Sequence, residues 1–207
     1  MDLQRPNAEV LLRAYSRGIF PMADPRTGEI GYYSPDPRAV IPLDRFHVPK
    51  SVARVAKSGV FEIRSDSSFE TVIRACSESR PGRNETWLDE RLIRAYVELF
   101  EHGLAHSVEA WRGDRLVGGL YGLHLGGAFF GESMFSRPEA GGRDSSKVCL
   151  VALVETLRSC KFHLLDTQFK TPHLARFGCV EIARKTYLAR LSRALAIEAR
   201  WRPVSGS

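Results

Sequence analysis

A mixed α+β sheet is the fold class that this sequence predicts, and three observations carry the prediction. Residues 116–125 and 128–135 read as the two strands of a hairpin, with bulky and small residues alternating and Gly126-Gly127 at the reversal. Residues 145–160 read as a helix whose apolar positions, Val148, Leu150, Val151, Leu153, Val154 and Leu157, run nearly all the way round, as in a buried helix. A strand over 162–168 follows it, and strands alternate with helices before the hairpin as well. Strand, hairpin, helix, strand, helix is the order of a sheet with helices packed on it.

Taken in order, Asn7 caps a helix over 8–17, with Val10, Leu11 and Ala14 on one face and Gly18 at its end. Residues 19–43 carry Pro21, Pro25, Pro35, Pro37 and Pro42 and predict an ordered but irregular connection. Pro49 starts a second helix ending near Gly59. Lys50, Arg54 and Lys57 fall on one face of it, without an acid on the helix. Residues 61–64 form a strand, and Ser67 or Ser68 caps a helix over 69–77. A polar loop over 80–85 leads to Trp87. Thr86 begins a helix with Leu88, Leu92, Ile93, Tyr96, Leu99 and Phe100 inward, stopped by Gly103. Residues 106–111 are a strand turning at Gly113-Asp114 into the hairpin. After residue 168 come a helical turn over 173–177, a strand over 180–182 and a basic helix over 186–199. Irregularity gives way to regular elements near residue 60. The domains expected are therefore a small N-terminal lobe, 1–60, and a larger domain, 61–207.

Composition narrows the function classes. Hydrophobic residues make up 43% of the 207, enough for a core and against wholesale disorder. A net charge of +6 favours a polyanionic partner. No apolar run is long enough to span a membrane, and the polar N-terminus has no signal-peptide core. Four cysteines without C-x-x-C spacing read as free thiols in a reducing cytoplasm.

Two places suggest chemistry. In the hairpin, Gly118, Gly119 and Gly122 weaken a strand, a feature associated with close approach of a ligand or another backbone. Opposite them stands Glu132 among Phe129, Phe130, Met134 and Phe135, where a carboxylate needs a partner. It is either an edge glutamate in water or the charged anchor of a pocket floor. The second place is Asp166 and Gln168, two residues apart at a polar strand end. Their side chains are expected on one face, about 6.5–7 Å apart, where they either orient and relay a proton or satisfy nearby backbone. His102 and His106 are separated by Gly103, so a zinc site is not expected. Residues 141–147 could hold phosphate at the start of a helix, but they lack Walker order. Gly131-Glu132-Ser133-Met134-Phe135 lacks the second glycine of a nucleophile elbow.

With these residues in view, the chain resembles the leucyl/phenylalanyl-tRNA–protein transferase family. The matching motifs begin with Leu12-x-x-Tyr15-x-x-Gly18-Ile19-Phe20-Pro21, Tyr33-Ser34-Pro35-Asp36-Pro37-Arg38-Ala39-Val40 and His106-Ser107-Val108-Glu109-x-Trp111. They continue with Gly118-Gly119-x-Tyr121-Gly122, Phe130-Gly131-Glu132-Ser133-Met134-Phe135-Ser136, Ser146-Lys147, Leu165-Asp166-x-Gln168 and His173-Leu174-x-x-Phe177-Gly178. They span roughly residues 10–190 in family order.

The resemblance implies a small N-terminal lobe on an acetyltransferase-like (GNAT) domain. It implies transfer of Leu or Phe (less Met) from aminoacyl-tRNA to the N-terminal Arg or Lys of a protein or peptide, marking it for degradation. Neither metal nor coenzyme A is implied. Asp166 and Gln168 match the pair that activates the attacking amine, and Glu132 matches the glutamate of the acceptor and aminoacyl-adenosine site, with Ser133 beside it. Phe129 and Met134 match pocket-lining positions, and Trp87 an aromatic near the tRNA 3′ end. Tyr33 stands where longer members carry tryptophan, and Lys50, Arg54 and Lys57 fit a helix that meets tRNA. Residues 138–142 look like an insertion.

Two other readings compete with this one. An acetyl-CoA-dependent acetyltransferase would want a Q/R-x-x-G-x-G/A loop before residue 145, which 137–147 does not supply. A non-enzymatic tRNA-binding module would leave Asp166 and Gln168 idle.

Overall fold

The computed structural model describes residues 3–78 and 85–203. Helix α1 (Ala8–Tyr15) is capped as expected: the Asn7 side chain accepts the Val10 N–H. Gly18, at φ +73°, turns the chain away. The proline-rich stretch is more regular than expected. It holds three short strands, β1 (Phe20–Ala23), β2 (Ile30–Tyr33) and β3 (Arg38–Ile41). β1 and β2 form a separate antiparallel ribbon, and an edge strand can accept Pro21 because its missing N–H breaks no ladder. β3 is buried along its whole length.

Helix α2 (Lys50–Lys57), strand β4 (Glu62–Ser65) and helix α3 (Phe69–Ser77) follow. Neither Ser67 nor Ser68 caps α3 with its own side chain. The buried carboxylate of Glu109 accepts the Ser68 N–H at 2.8 Å and the Ser67 hydroxyl instead. Helix α4 (Glu90–Glu101) starts later than Thr86, because Asp89 accepts the Arg91 and Leu92 N–H groups and sets the first turn. The loop expected over 80–85 lies, except for Glu85, outside the described residues. Then come β5 (Ala105–Arg112), β6 (Arg115–Leu125), β7 (Ala128–Ser136), α5 (Ser145–Ser159), β8 (Leu164–Gln168), α6 (Pro172–Ala175), β9 (Val180–Ile182) and α7 (Arg184–Leu195).

Seven strands make one mixed sheet, in the order β4-β5-β6-β7-β8-β3-β9. Every neighbour is antiparallel except β7 and β8, which are parallel and joined through α5. β3 therefore belongs to the large sheet, and α2 packs on α5. The large sheet thus takes in a strand that precedes residue 60.

Each face of the sheet carries a core. Leu11, Tyr15, Ile73, Leu92, Tyr96 and Leu191 lie in one, and Val52, Leu150, Leu153, Val154 and Leu157 in the other. Truncating such a leucine to alanine costs about 2–5 kcal/mol. The hairpin glycines serve this packing rather than a ligand. A Cβ on Gly118 would stand 1.9 Å from Ser145 Oγ, and one on Gly122 would stand 2.2 Å from the Phe130 carbonyl oxygen.

Candidate active site

The parallel pair β7/β8 is joined over three residue pairs, Ala128–Leu164, Phe129–Leu165 and Phe130–Asp166. Beyond Phe130 the strands part. Each carries an extra residue there: Glu132 bulges from β7 between Gly131 and Ser133, and Thr167 bulges from β8 opposite β3. A bulge bends its strand and re-aims a side chain. Gln168 ends β8 at φ +56°, which turns it away from ordinary strand alternation. A cavity of about 240 Å³ fills the opening. Its walls come from Phe20 and Met22 of β1, Trp87, Leu150 and Leu153 of α5, and Glu132, Ser133 and Met134 of β7. Leu165, Thr167 and Gln168 close the β8 side.

Glu132 lies on this wall rather than at a strand edge in water. Gln168 Nε2 donates to its Oε1 at 3.1 Å, and Tyr96 Oη donates to its Oε2 at 3.2 Å. The carboxylate also decides which end of the Gln168 amide is nitrogen, leaving the amide oxygen free to accept. Burial pushes the Glu132 carboxyl up to about 8. The Tyr15 and Tyr96 hydroxyls and the Arg38 charge act against that rise, and Asp166 adds to it. Such a group can exchange a proton near neutral pH.

Asp166 sits in a different environment from Glu132. It is fully buried and absent from the cavity wall. Its oxygens accept from Arg38 Nε at 2.9 Å, Arg38 Nη2 at 2.6 Å, Tyr187 Oη at 2.7 Å and the Gln168 N–H at 2.9 Å. A carboxylate has about four lone-pair sites, so these donors fill it. Arg38 is equally buried, lies between the Phe20 and Tyr187 rings at 4.7 and 4.6 Å, and donates to the Gly18 carbonyl. Asp166 and Gln168 are thus linked through the Gln168 backbone, and their side chains turn to different partners.

The remaining expected residues divide. Ser133, Met134 and Trp87 line the cavity. Phe129 does not: it sits in the joined part of β7/β8, below the opening, and packs on Phe162 and Trp201. Tyr33 stands at the rim, 44% exposed, with its ring 6.1 Å from Phe20. Lys50, Arg54 and Lys57 are exposed on α2 and make no ion pair among the described residues. Sequence reasoning missed Arg38 and the part of Tyr15 and Tyr96. The available signal was an arginine opening an otherwise apolar strand, and two tyrosines on inward helix faces.

The phosphate reading of residues 141–147 gains nothing from the first turn of α5. At the start of α5 the N–H groups of Ser145, Lys147 and Val148 go to the carbonyls of Gly142, Asp144 and Asp144, and that of Ser146 goes to Ser136 Oγ. No donor is left for an anion in that turn. Among the described residues, no three His, Cys, Asp or Glu side chains gather to hold a metal, and no helix is long and apolar enough to cross a membrane.

Known proteins are similar to this chain over nearly its whole length. The family model for leucyl/phenylalanyl-tRNA protein transferase matches residues 40–192, and that for the N-terminal domain of the same enzymes matches residues 5–36. The leucyl/phenylalanyl-tRNA–protein transferase of Rubrobacter xylanophilus is 55% identical over 195 residues, covering 94% of this chain and 97% of that protein. The one from Caulobacter vibrioides is 54% identical over 187 residues, covering 90% and 84%. Among solved structures, L-PGS from Bacillus licheniformis aligns with a TM-score of 0.47 at 10% identity, over 77% of this chain and 65% of that one. An aminoglycoside N-acetyltransferase in complex with CoA aligns with a TM-score of 0.36 at 16% identity, over 69% and 90%. On the family match and the relatives, the chain belongs to the leucyl/phenylalanyl-tRNA–protein transferase family and is an aminoacyltransferase working from tRNA to protein.

Proposed function

We propose that this transferase moves Leu or Phe, and less readily Met, from aminoacyl-tRNA to the α-amine of cytoplasmic proteins that begin with Arg or Lys. The product carries an N-terminal residue that marks it for proteolysis. The observation that carries this reading is a half-buried carboxylate, Glu132, on the wall of an apolar cavity. The apolar walls, with Met134 among them, suit the donor side chain, and the carboxylate suits a cationic acceptor. Trp87 and Tyr33 stand near the tRNA 3′ end, and Lys50, Arg54 and Lys57 meet its phosphates.

In this reading Glu132 takes the proton that must leave the acceptor ammonium before attack. The neutral amine forms the C–N bond at the ester carbonyl. The C–O bond to the ribose then breaks, and a second amine proton passes to the departing oxygen. An aminoacyl ester is already activated, so positioning and proton removal suffice, without cofactor or covalent enzyme intermediate. Gln168 offers its amide oxygen to the amine, and Asp166 holds the strand end from behind.

Before it takes that proton, the charged carboxylate also meets the acceptor's Arg or Lys side chain in the binding step. This charge-assisted contact is worth about 1.5–3 kcal/mol, enough to favour Arg over a neutral first residue roughly ten- to a hundred-fold. The test is competition among peptides starting with Arg, Lys, Ala and Asp, read by mass spectrometry. Glu132→Gln should erase most of the Arg preference and spare tRNA binding. An Arg preference that survives intact, or Asp-starting peptides winning with the wild type, overturns the assignment.

A further inference from the structure

We propose that Tyr15 and Tyr96 are positioning residues of the transfer reaction, a two-hydroxyl chain spanning both lobes that holds the Glu132 carboxylate as a base. The inference rests on Glu132 taking the amine proton. Tyr15 ends α1, within the stretch that matches the family's N-terminal domain, whereas Tyr96 and Glu132 belong to the catalytic domain.

The two hydroxyl oxygens are 2.6 Å apart. Tyr96 gives its proton to Glu132 Oε2, so Tyr15 must give its own to Tyr96. Both tyrosines are 0% exposed, with the Tyr15 ring against Phe130 and the Tyr96 ring against Tyr121. Packing alone would be served by phenylalanine, which brings no buried polar atom to satisfy. With Gln168 on Oε1 and Tyr96 on Oε2, each carboxylate oxygen is fixed and retains a lone pair for the cavity.

The groups facing Glu132 are Tyr15 of α1, Tyr96 of α4, Tyr121 of β6 through the Tyr96 ring, Arg38 of β3, Asp166 of β8 and Tyr187 of α7. Arg38 and Asp166 pair with each other and act on Glu132 in opposite directions. Burial, the largest cause of its raised proton affinity, is common to every variant, so the phenol donors are the groups whose loss should move its titration. Burial holds both phenols well above their ordinary range, so they stay protonated donors while Glu132 titrates.

The experiment is the pH profile of kcat/KM for transfer to an Arg-starting peptide by the full chain. The peptide amine also titrates in this range, but it is common to every variant, so a displaced limb belongs to the enzyme. Tyr96→Phe removes a donor to the charged form and should move the acid limb up by about one pH unit. Activity then falls about tenfold at pH 7 and recovers on the alkaline plateau, with aminoacyl-tRNA affinity unchanged. Tyr15→Phe should move the limb the same way. 3-Fluorotyrosine at position 96, a more acidic donor of nearly the same shape, should move it down, and this keeps the test alive if a phenylalanine variant does not fold. Folded variants whose limbs superimpose on the wild type, while Glu132→Gln abolishes the limb, overturn this inference and leave Glu132 as the base. A wild-type limb and rate in Glu132→Gln overturn both.

Discussion

Asp166→Asn separates an anchor from a catalytic group. In the wild type Asp166 and Arg38 are both 0% exposed and joined by two charge-assisted bonds of 2.6 and 2.9 Å. The asparagine keeps the volume and one acceptor, removes the charge, and turns an NH₂ toward donors. A guanidinium is then left buried without its counter-charge, which costs about 3–5 kcal/mol. At about 2–4 °C per kcal/mol for a chain of this length, Tm should fall by roughly 6–20 °C. Arg38→Met should cost a comparable amount. The double variant should cost less than the sum by a coupling of up to about 3 kcal/mol, since its second change removes a charge already orphaned. The assay is thermal melting of the four proteins, with single-turnover transfer measured well below the lowest Tm. Restored folding at low temperature should restore most of the transfer rate. If Asp166→Asn melts like the wild type yet transfers about 10²–10⁴-fold more slowly, the residue acts in the chemical step and the anchor account is wrong.

Three further outcomes are expected. Replacing Lys50, Arg54 and Lys57 together by alanine should flatten the plot of log K against log salt for aminoacyl-tRNA binding by about 2–3, and an unmoved slope would make α2 only a solvated face. Met134→Ala should narrow the preference for Leu- over Ala-tRNA, which three buried carbons set at roughly 2.4 kcal/mol, or about 50-fold; equal use of both donors by the wild type would rule the pocket out. Glu132 has its folded pKa raised to about 8 from the ordinary carboxylate range, so the folded state binds the extra proton and stability falls as pH rises from about 4.5 to 8. Glu132→Gln should therefore raise Tm more at pH 8.5 than at pH 5, and a pH-independent difference would contradict a strained carboxylate at this wall.

How far the sequence could be read follows from the range of the interactions involved. Helix α1, the hairpin β6–β7 and the buried helix α5 were legible because caps, glycine turns and apolar periodicity are local. β3 was not: its four residues stand between Pro37 and Pro42 and become a strand through β8 and β9, which lie far along the chain. The cap of α3 was missed for the same reason, since Glu109 comes from another strand. At the site, Glu132 could be picked out as a carboxylate among aromatics, and the structure puts it on the cavity wall. Asp166 and Gln168 were legible as a polar strand end, but their division of labour was not, because Arg38 is 128 residues away. Alternation along a regular strand also misleads where a bulge intervenes, as it does at Glu132 and Thr167.

The central claim is that this chain forms a peptide bond at an N-terminal amine with Glu132 serving the step. It is tested most directly by incubating the protein with Leu-tRNA and an Arg-starting peptide and reading the peptide mass, with acetyl-CoA as the competing donor and Glu132→Gln in parallel. The account predicts one added leucyl residue at the peptide N-terminus, no acetyl group, and loss of most transfer in Glu132→Gln at neutral pH. An acetylated peptide, an unmodified peptide, or undiminished leucine transfer by Glu132→Gln would contradict it.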